Sequence, residues 1–261
     1  MSEIKIEFAV EMHGDSCVEI VRKSLEGMGL VDIDHKQGRV IVHTVEPWSR
    51  IQEKIENTGR KAVLAGFGGQ SAVSIINNTG SDVDRTSIQG VVRFTAITND
   101  QAGVVVDGVI DGLTPGLHGM HVHEMGDVSG GCDTVGAHYN PRNSPHGAPH
   151  DEPNQRHAGD LGNIRADETG RATFRFVDSI LEVWDVIGRS VVITQQPDDF
   201  GKGCNEQSSI DGNSGERIAC GIIARSAGIL QNFKKICACD GLTLWDERFK
   251  PIAGGVRNRK V

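Results

Sequence analysis

Apolar and polar positions alternate, then fall at helical spacing, twice over within the first seventy residues. Ile4-Lys-Ile-Glu-Phe8 alternates as a half-buried strand does, and residues 16 to 28 set Val18, Val21, Leu25 and Met28 on one helical face. A second alternating run, Arg-Val-Ile-Val-His at 39 to 43, follows the Gln37-Gly38 turn, and Pro47 to Asn57 reads as a helix with proline near its first turn. Lys61 to Ala65 adds a last strand. These five elements, with one further strand between the first helix and the Gln37-Gly38 turn that the pattern does not itself pick out, make the order β-α-β-β-α-β and predict a small ferredoxin-like α/β unit over residues 1–68.

Gly66-Phe-Gly-Gly69 reads as a flexible break, after which the pattern becomes short strands between glycine-rich turns. Strands are expected at Ser71 to Asn77, Ser87 to Thr98, Gly103 to Asp111, Gly116 to His123, Arg171 to Phe176 and Ser190 to Thr194. Aperiodic polar stretches at 125 to 163 and 195 to 217 read as long loops, which are usually functional when they interrupt a compact domain. The expectation is a mainly β protein: the α/β unit, a β domain over 71–225, and a polar, basic tail over 226–261 that is poorly ordered alone.

Composition narrows the class. The chain has 261 residues, 24% charged and 38% hydrophobic, which is ordinary for a globular protein. Thirty-three glycines against 5% aromatics favour turn-rich β architecture. A net charge of -8 argues against nucleic acid or an anionic membrane as the main partner. Met1-Ser-Glu-Ile-Lys-Ile-Glu holds no apolar signal run, and no eighteen apolar residues follow one another, so a cytoplasmic location without a membrane span is expected. Six cysteines are too few for a disulfide scaffold in a chain this long and leave metal binding, redox chemistry and burial as their uses.

Two metal chemistries are written into the chain. His121, His123, His138, His146, His157 and Asp160 are the borderline ligands that suit Zn²⁺ and Cu²⁺. Cys237 and Cys239 are a soft pair, as Cu(I) or thiol–disulfide exchange requires. On extended chain, residues i and i+2 point the same way, so His121 with His123, and Cys237 with Cys239, can each chelate one ion.

Four segments, in order, resemble Cu,Zn superoxide dismutase: Gly116-Leu-His-Gly-Met-His-Val-His-Glu-Met-Gly-Asp127, Gly136-Ala-His-Tyr-Asn-Pro141, His157-Ala-Gly-Asp-Leu-Gly-Asn163 and Gly212-Asn-Ser-Gly-Glu-Arg-Ile-Ala-Cys-Gly221. With a heavy-metal-associated-like N-terminal domain and a Cys-x-Cys tail, the whole chain is similar to the copper chaperones of that enzyme. The resemblance implies a Greek-key β-barrel and a metallochaperone that delivers Cu(I) to Cu,Zn superoxide dismutase and helps form its internal disulfide. It implies a heterodimer through the barrel surface, with a homodimer of the chaperone as a further possibility. Carried over residue by residue, it gives a zinc site of His138, His146, His157 and Asp160, a residual copper site of His121, His123 and His138, an acidic link at Asp198, an anion-guiding Arg217 and a disulfide between Cys132 and Cys220. His118 reads as structural, and Cys204 as a free surface thiol.

Two departures bear on function. The fourth copper histidine is replaced by Thr194, which argues against efficient dismutation. The N-terminal copper loop, Met-x-Cys-x-x-Cys in the family, reads Met12-His-Gly-Asp-Ser-Cys17, so Gly14 stands where one thiolate belongs. Cys17, aided by His13 or Met12, is then a weaker copper ligand, and a domain kept for docking or stability is an equal alternative. Cys237 and Cys239 remain for copper carriage or disulfide transfer. The rival function is a superoxide dismutase enzyme with accessory domains; a zinc protein whose thiols are idle is a third.

Overall fold

The structure, a computed structural model, describes residues 3–77, 88–97 and 102–231. The chain divides into two compact units, residues 1–70 with those from 226 onward, and residues 71–225. Cys237 and Cys239 lie outside the described residues. Among the described residues, no helix is long and apolar enough to cross a membrane.

The first unit contains β1 (Ile4–Val10), α1 (Asp15–Ser24), β2 (Leu30–Asp34), β3 (Arg39–Thr44), α2 (Trp48–Glu56) and β4 (Ala62–Phe67), with the sheet ordered β2-β3-β1-β4. This is the expected β-α-β-β-α-β order. Ile4, Ile6, Phe8 and Val10 alternate along β1 and are buried, as are Val21 and Leu25 from the α1 segment and Ile51 and Ile55 from α2. Each such side chain contributes roughly 1.5–3 kcal/mol on burial. The first helix is shorter than its apolar spacing predicts, because Gly27 turns the chain at φ 79. The Gly66-Phe67 end of the expected break belongs to β4.

The second unit is a closed eight-stranded barrel of β5 (Ser71–Asn77), β6 (Gln89–Ala96), β7 (Val104–Asp111), β8 (Gly116–His123), β9 (Asp160–Ala166), β10 (Ala172–Asp178), β11 (Ser190–Thr194) and β12 (Arg217–Arg225). Around the barrel the order is β10-β7-β6-β5-β12-β11-β8-β9. The chain therefore passes from β7 to β8 and from β10 to β11 across intervening strands, the Greek-key connection expected of the fold. Two short helices join them, α3 (Val183–Val186) and α4 (Glu206–Asp211).

The long stretches differ from their reading as loops. The last residues of 125–163 open β9 at Asp160, and 195–217 contains α4. A helix of six mostly polar residues shows no apolar period; it forms because Asn205 Oδ1 accepts the Ser208 N–H at 2.7 Å. β12, which was not among the expected strands, follows α4 with a buried run from Ile218 to Gly221.

The parity of β8 positions the site. Met120 and Val122 enter the barrel core, so His121 and His123 stand on the opposite face. In register with them on β11 are Val192 and Ser190, which puts Thr194 on that same outer face. His118 has core parity, and its ring nitrogens lie 2.9 Å from Thr194 O and 2.8 Å from Thr114 O.

Candidate metal centre

Asp160, the first residue of β9, gathers three imidazoles. Its carboxylate lies 2.9 Å from His138 Nδ1, 3.1 Å from His146 Nδ1 and 3.2 Å from His157 Nδ1. It also accepts the backbone N–H groups of Gly147 at 3.1 Å and His157 at 2.8 Å, which ties down both ends of the loop that carries the histidines. Arg156, fully buried, donates to Asp160 O at 2.6 Å and forms an ion pair with Asp178. Neither Arg156 nor Asp178 was singled out in the sequence; an arginine beside a ligand histidine gives no signal of burial.

Asp198 links this cradle to the β8 histidines. One oxygen is 2.8 Å from His146 Nε2 and the other 3.0 Å from His121 Nε2. Asp198 is itself held by two hydrogen bonds to Asn163, its N–H donating to Oδ1 at 2.7 Å and its O accepting from Nδ2 at 2.9 Å. With its Nε2 side facing a carboxylate, His121 turns a buried Nδ1 without a hydrogen-bond partner toward His123 and His138. His123 Nδ1 faces Gly136 O at 3.0 Å, which leaves its buried Nε2 equally without a hydrogen-bond partner. The His121 and His138 rings stack 4.0 Å apart.

The donor set fits the metals that the residues suggest. His138, His146, His157 and Asp160 offer four ligand atoms within 4.8 Å of one another, as do the three of His121, His123 and His138. His146 Nδ1 lies near Asp160 yet makes no hydrogen bond, an orphaned position of the kind a metal ion satisfies. Charge preference agrees at His138 and His123. Burial, reinforced by neighbouring imidazoles, pushes His138 down to about 3 and His123 well below its ordinary value, keeping both neutral as ligands must be. Burial works against a proton on His146 too, but the carboxylates of Asp160 and Asp198 outweigh it and hold the ring up at about 10. Hydrogen bonds from the histidines hold both carboxylates below their usual range despite burial.

Thr194 occupies the remaining corner. Its hydroxyl lies 3.2 Å from both Gly119 O and Gln196 O and donates its one proton between them, so the position is satisfied by hydrogen bonding and supplies no imidazole. Arg217 is directed at backbone, donating to Cys132 O at 3.0 Å and Gly136 O at 2.9 Å. A Cys132–Cys220 disulfide, Cα atoms 5.7 Å apart, fastens the loop to β12 beside Val135 and Val192.

In the first unit, Cys17 is half-buried in α1; the His13 backbone and the Arg60 side chain hydrogen-bond its sulfur and lower its pKa. Gly14 sits at the helix N-cap with extended φ 163, and a Cβ there would meet nothing within 4 Å. Cys204 is exposed.

Fold and site together define a Cu,Zn superoxide dismutase-type barrel preceded by an α/β domain of ferredoxin-like order. The copper/zinc superoxide dismutase family matches residues 88–223 and the heavy-metal-associated domain family residues 7–61, which implies copper and zinc binding. The copper chaperone for superoxide dismutase of Homo sapiens is 52% identical over 98% of this chain and 93% of its own length, and that of Mus musculus 50% over 95% and 90%. Superoxide dismutase [Cu-Zn] 5 of Dictyostelium discoideum is 42% identical over 60% of this chain and 98% of its own. The solved structure of the clock protein EA4 aligns at TM-score 0.52 with 39% identity, covering 59% of this chain and 93% of that one. The chain belongs to the copper chaperone for superoxide dismutase family, whose near-full-length members are named as chaperones and not as enzymes.

His157→Ala is expected to lower the zinc content of the purified protein and to cost about 3 kcal/mol or more, roughly 6–12 °C in Tm, because a ligand is lost from a site whose binding energy is folding energy. A chelator should lower the Tm of the parent and leave that of the variant nearly unchanged. Equal zinc content and equal Tm would contradict the assignment.

Gly14→Cys places a second thiol in open space at an extended residue. Competition against a Cu(I) chelator should show the N-terminal domain binding Cu(I) at least about tenfold more tightly, ~1.4 kcal/mol, as for a two-thiolate site. Unchanged affinity would mean that Cys17 does not face the metal position.

Proposed function

We propose that this chain delivers Cu(I) to Cu,Zn superoxide dismutase and promotes formation of the enzyme's internal disulfide, working by docking and thiolate exchange rather than by turnover. The observation that carries the reading is Thr194. The barrel keeps the zinc cradle, the Asp198 link and three imidazoles around the copper corner, yet fills the fourth position with a hydroxyl bonded to backbone carbonyls. Such a barrel preserves the shape of a dismutase subunit without a full set of ligands for a copper ion that changes oxidation state. It suits a docking module, pairing with a target subunit through the surface the enzyme uses for its own dimer.

In this reading His138, His146, His157 and Asp160 hold zinc, which orders the 125–163 region when bound and so keeps the docking barrel rigid. Asp198 orients the imidazoles of His121 and His146 from outside the metal positions. Cu(I) is cargo. Cys237 and Cys239 carry it as a thiolate pair and pass it one ligand at a time to the target, with Cys17 as an accessory ligand.

Disulfide formation follows the same route when the pair is oxidised. A target thiolate attacks one sulfur of the Cys237–Cys239 disulfide and gives a mixed disulfide. The second target thiolate then displaces the tail cysteine, leaving the target oxidised and the tail as a dithiol with the two protons taken up.

The retained copper corner and the similarity to a dismutase over 60% of the chain favour a second reading, a dismutase with accessory domains. Thr194→His separates the two. It should raise copper retention by the zinc-loaded barrel and raise dismutase activity at least about tenfold above the parent, since one missing ligand then limits the site. Equal copper content and activity in parent and variant would remove the missing-ligand argument.

The thiols should not be equivalent. With copper-free, reduced superoxide dismutase as target, Cu(I)-loaded Cys237→Ala or Cys239→Ala protein should activate it at a few per cent of the parent rate or less, whereas Cys17→Ala should retain roughly half. A larger loss from Cys17→Ala would make the N-terminal domain the carrier.

A further inference from the structure

The segment that follows β12 adds itself to the edge of the N-terminal sheet. Gly228 forms a parallel bridge with Phe67, the last residue of the edge strand β4. Phe67 N–H donates to Ala227 O at 3.3 Å, and Ile229 N–H donates to Phe67 O at 3.0 Å. The edge is shaped for this approach, since a Cβ on Gly66 would stand 2.5 Å from Gly228 O.

Beyond the bridge the chain turns, Gln231 N–H donating to Gly228 O at 3.2 Å. Leu230, the third residue of that turn, sits at φ 62, a left-handed conformation that glycine adopts freely and leucine resists. Glu7 holds it there. Its Oε2 accepts the Leu230 N–H at 2.7 Å, although Glu7 is only 5% exposed. Glu7 is the register partner of Gly66, so its side chain crosses a bare position to reach the added segment. A carboxylate buried on a strand is costly unless hydrogen-bonded, and this hydrogen bond accounts for its place.

We propose that the N-terminal domain is the anchor of the Cys-x-Cys arm: β4, bared at Gly66, takes residues 227–229 in a parallel bridge, and Glu7 locks Leu230 in the turn that follows, so that the thiol pair is launched from this edge. The inference rests on the reading of Cys237 and Cys239 as the transferring thiols. Cys237 follows Gln231 by six residues and Arg225 by twelve. From an anchored Gln231 it reaches at most about 20 Å, against about 40 Å from the end of the barrel, so the anchor confines the thiols to roughly an eighth of the volume. For a docked target whose thiols fall within that reach, effective concentration rises accordingly. A domain that has lost one copper thiolate thereby keeps an obligatory task.

The test uses the full-length, Cu(I)-loaded chain with Gly66→Val, Glu7→Ala and Glu7→Gln. Amide hydrogen exchange at Ile229 and Leu230 should quicken at least about tenfold in Gly66→Val and Glu7→Ala, while Ile6 and Val42 stay protected. Glu7→Gln keeps an acceptor oxygen and should stay near the parent. Activation of copper-free, reduced superoxide dismutase should fall by up to about eightfold in the two opened variants and recover in Glu7→Gln.

Unchanged exchange at Ile229 and Leu230 in both opened variants would overturn the anchor, as would quickened exchange with undiminished activation. If Gly66→Val exposes Ile6 and Val42 as well, Glu7→Ala decides. Cys237→Ala runs alongside: undiminished activation by that variant would count against the thiol reading itself, while the exchange data would still decide whether the anchor exists.

Discussion

The carboxylate of Asp160 is the constraint on which the barrel's functional half depends. Five groups from three parts of the chain, the Nδ1 atoms of His138, His146 and His157 and the amides of Gly147 and His157, converge on two oxygens. That convergence turns a polar stretch without periodicity into a fixed wall over β8. It also places His138 against His121, which brings the copper corner within reach of the zinc cradle. A carboxylate so heavily solicited stays ionised, and the imidazole nitrogens facing it offer a donor set that fits a metal ion.

The departures from the two family patterns, that of the enzyme at Thr194 and that of the N-terminal copper loop at Gly14, fall on ligands and not on scaffold. Thr194 keeps strand, register and burial while changing the donor, and Gly14 keeps the helix N-terminus while removing a thiol. A scaffold maintained while ligands are lost is understandable if the scaffold is what a partner recognises. The same logic applies to the first unit, whose sheet retains its core and carries a bridged segment at β4 even though its copper loop has one cysteine. In each unit the scaffold is intact around the position at which the family resemblance places a missing ligand, Thr194 in the barrel and Gly14 in the first unit.

Much of this was legible in the sequence because it rests on period. The alternation of Ile4, Ile6 and Phe8 and the helical spacing of Val21 and Leu25 gave the first unit, and the parity of His121 with His123 is read directly from their two-residue separation. His118 could be separated from them only as structural in general terms; its core parity with Met120 needed the strand's orientation. What period does not encode stayed hidden. The pairing of Asp198 with two imidazoles, the burial of Arg156 and the reach of Glu7 to Leu230 each join residues far apart in sequence through side-chain geometry. Residues 226–231 read as the start of a polar tail because a segment bridged by two backbone hydrogen bonds and then turning requires no apolar alternation of its own.

The central claim is that this barrel is kept for docking and not for turnover. Its most direct test is the dismutase activity of the purified chain itself, loaded with zinc and copper and measured per barrel against Cu,Zn superoxide dismutase under the same conditions. A site lacking one imidazole at Thr194 should fall at least ~100-fold below the enzyme. Activity within a few-fold of the enzyme would contradict the account and make this chain a dismutase with accessory domains.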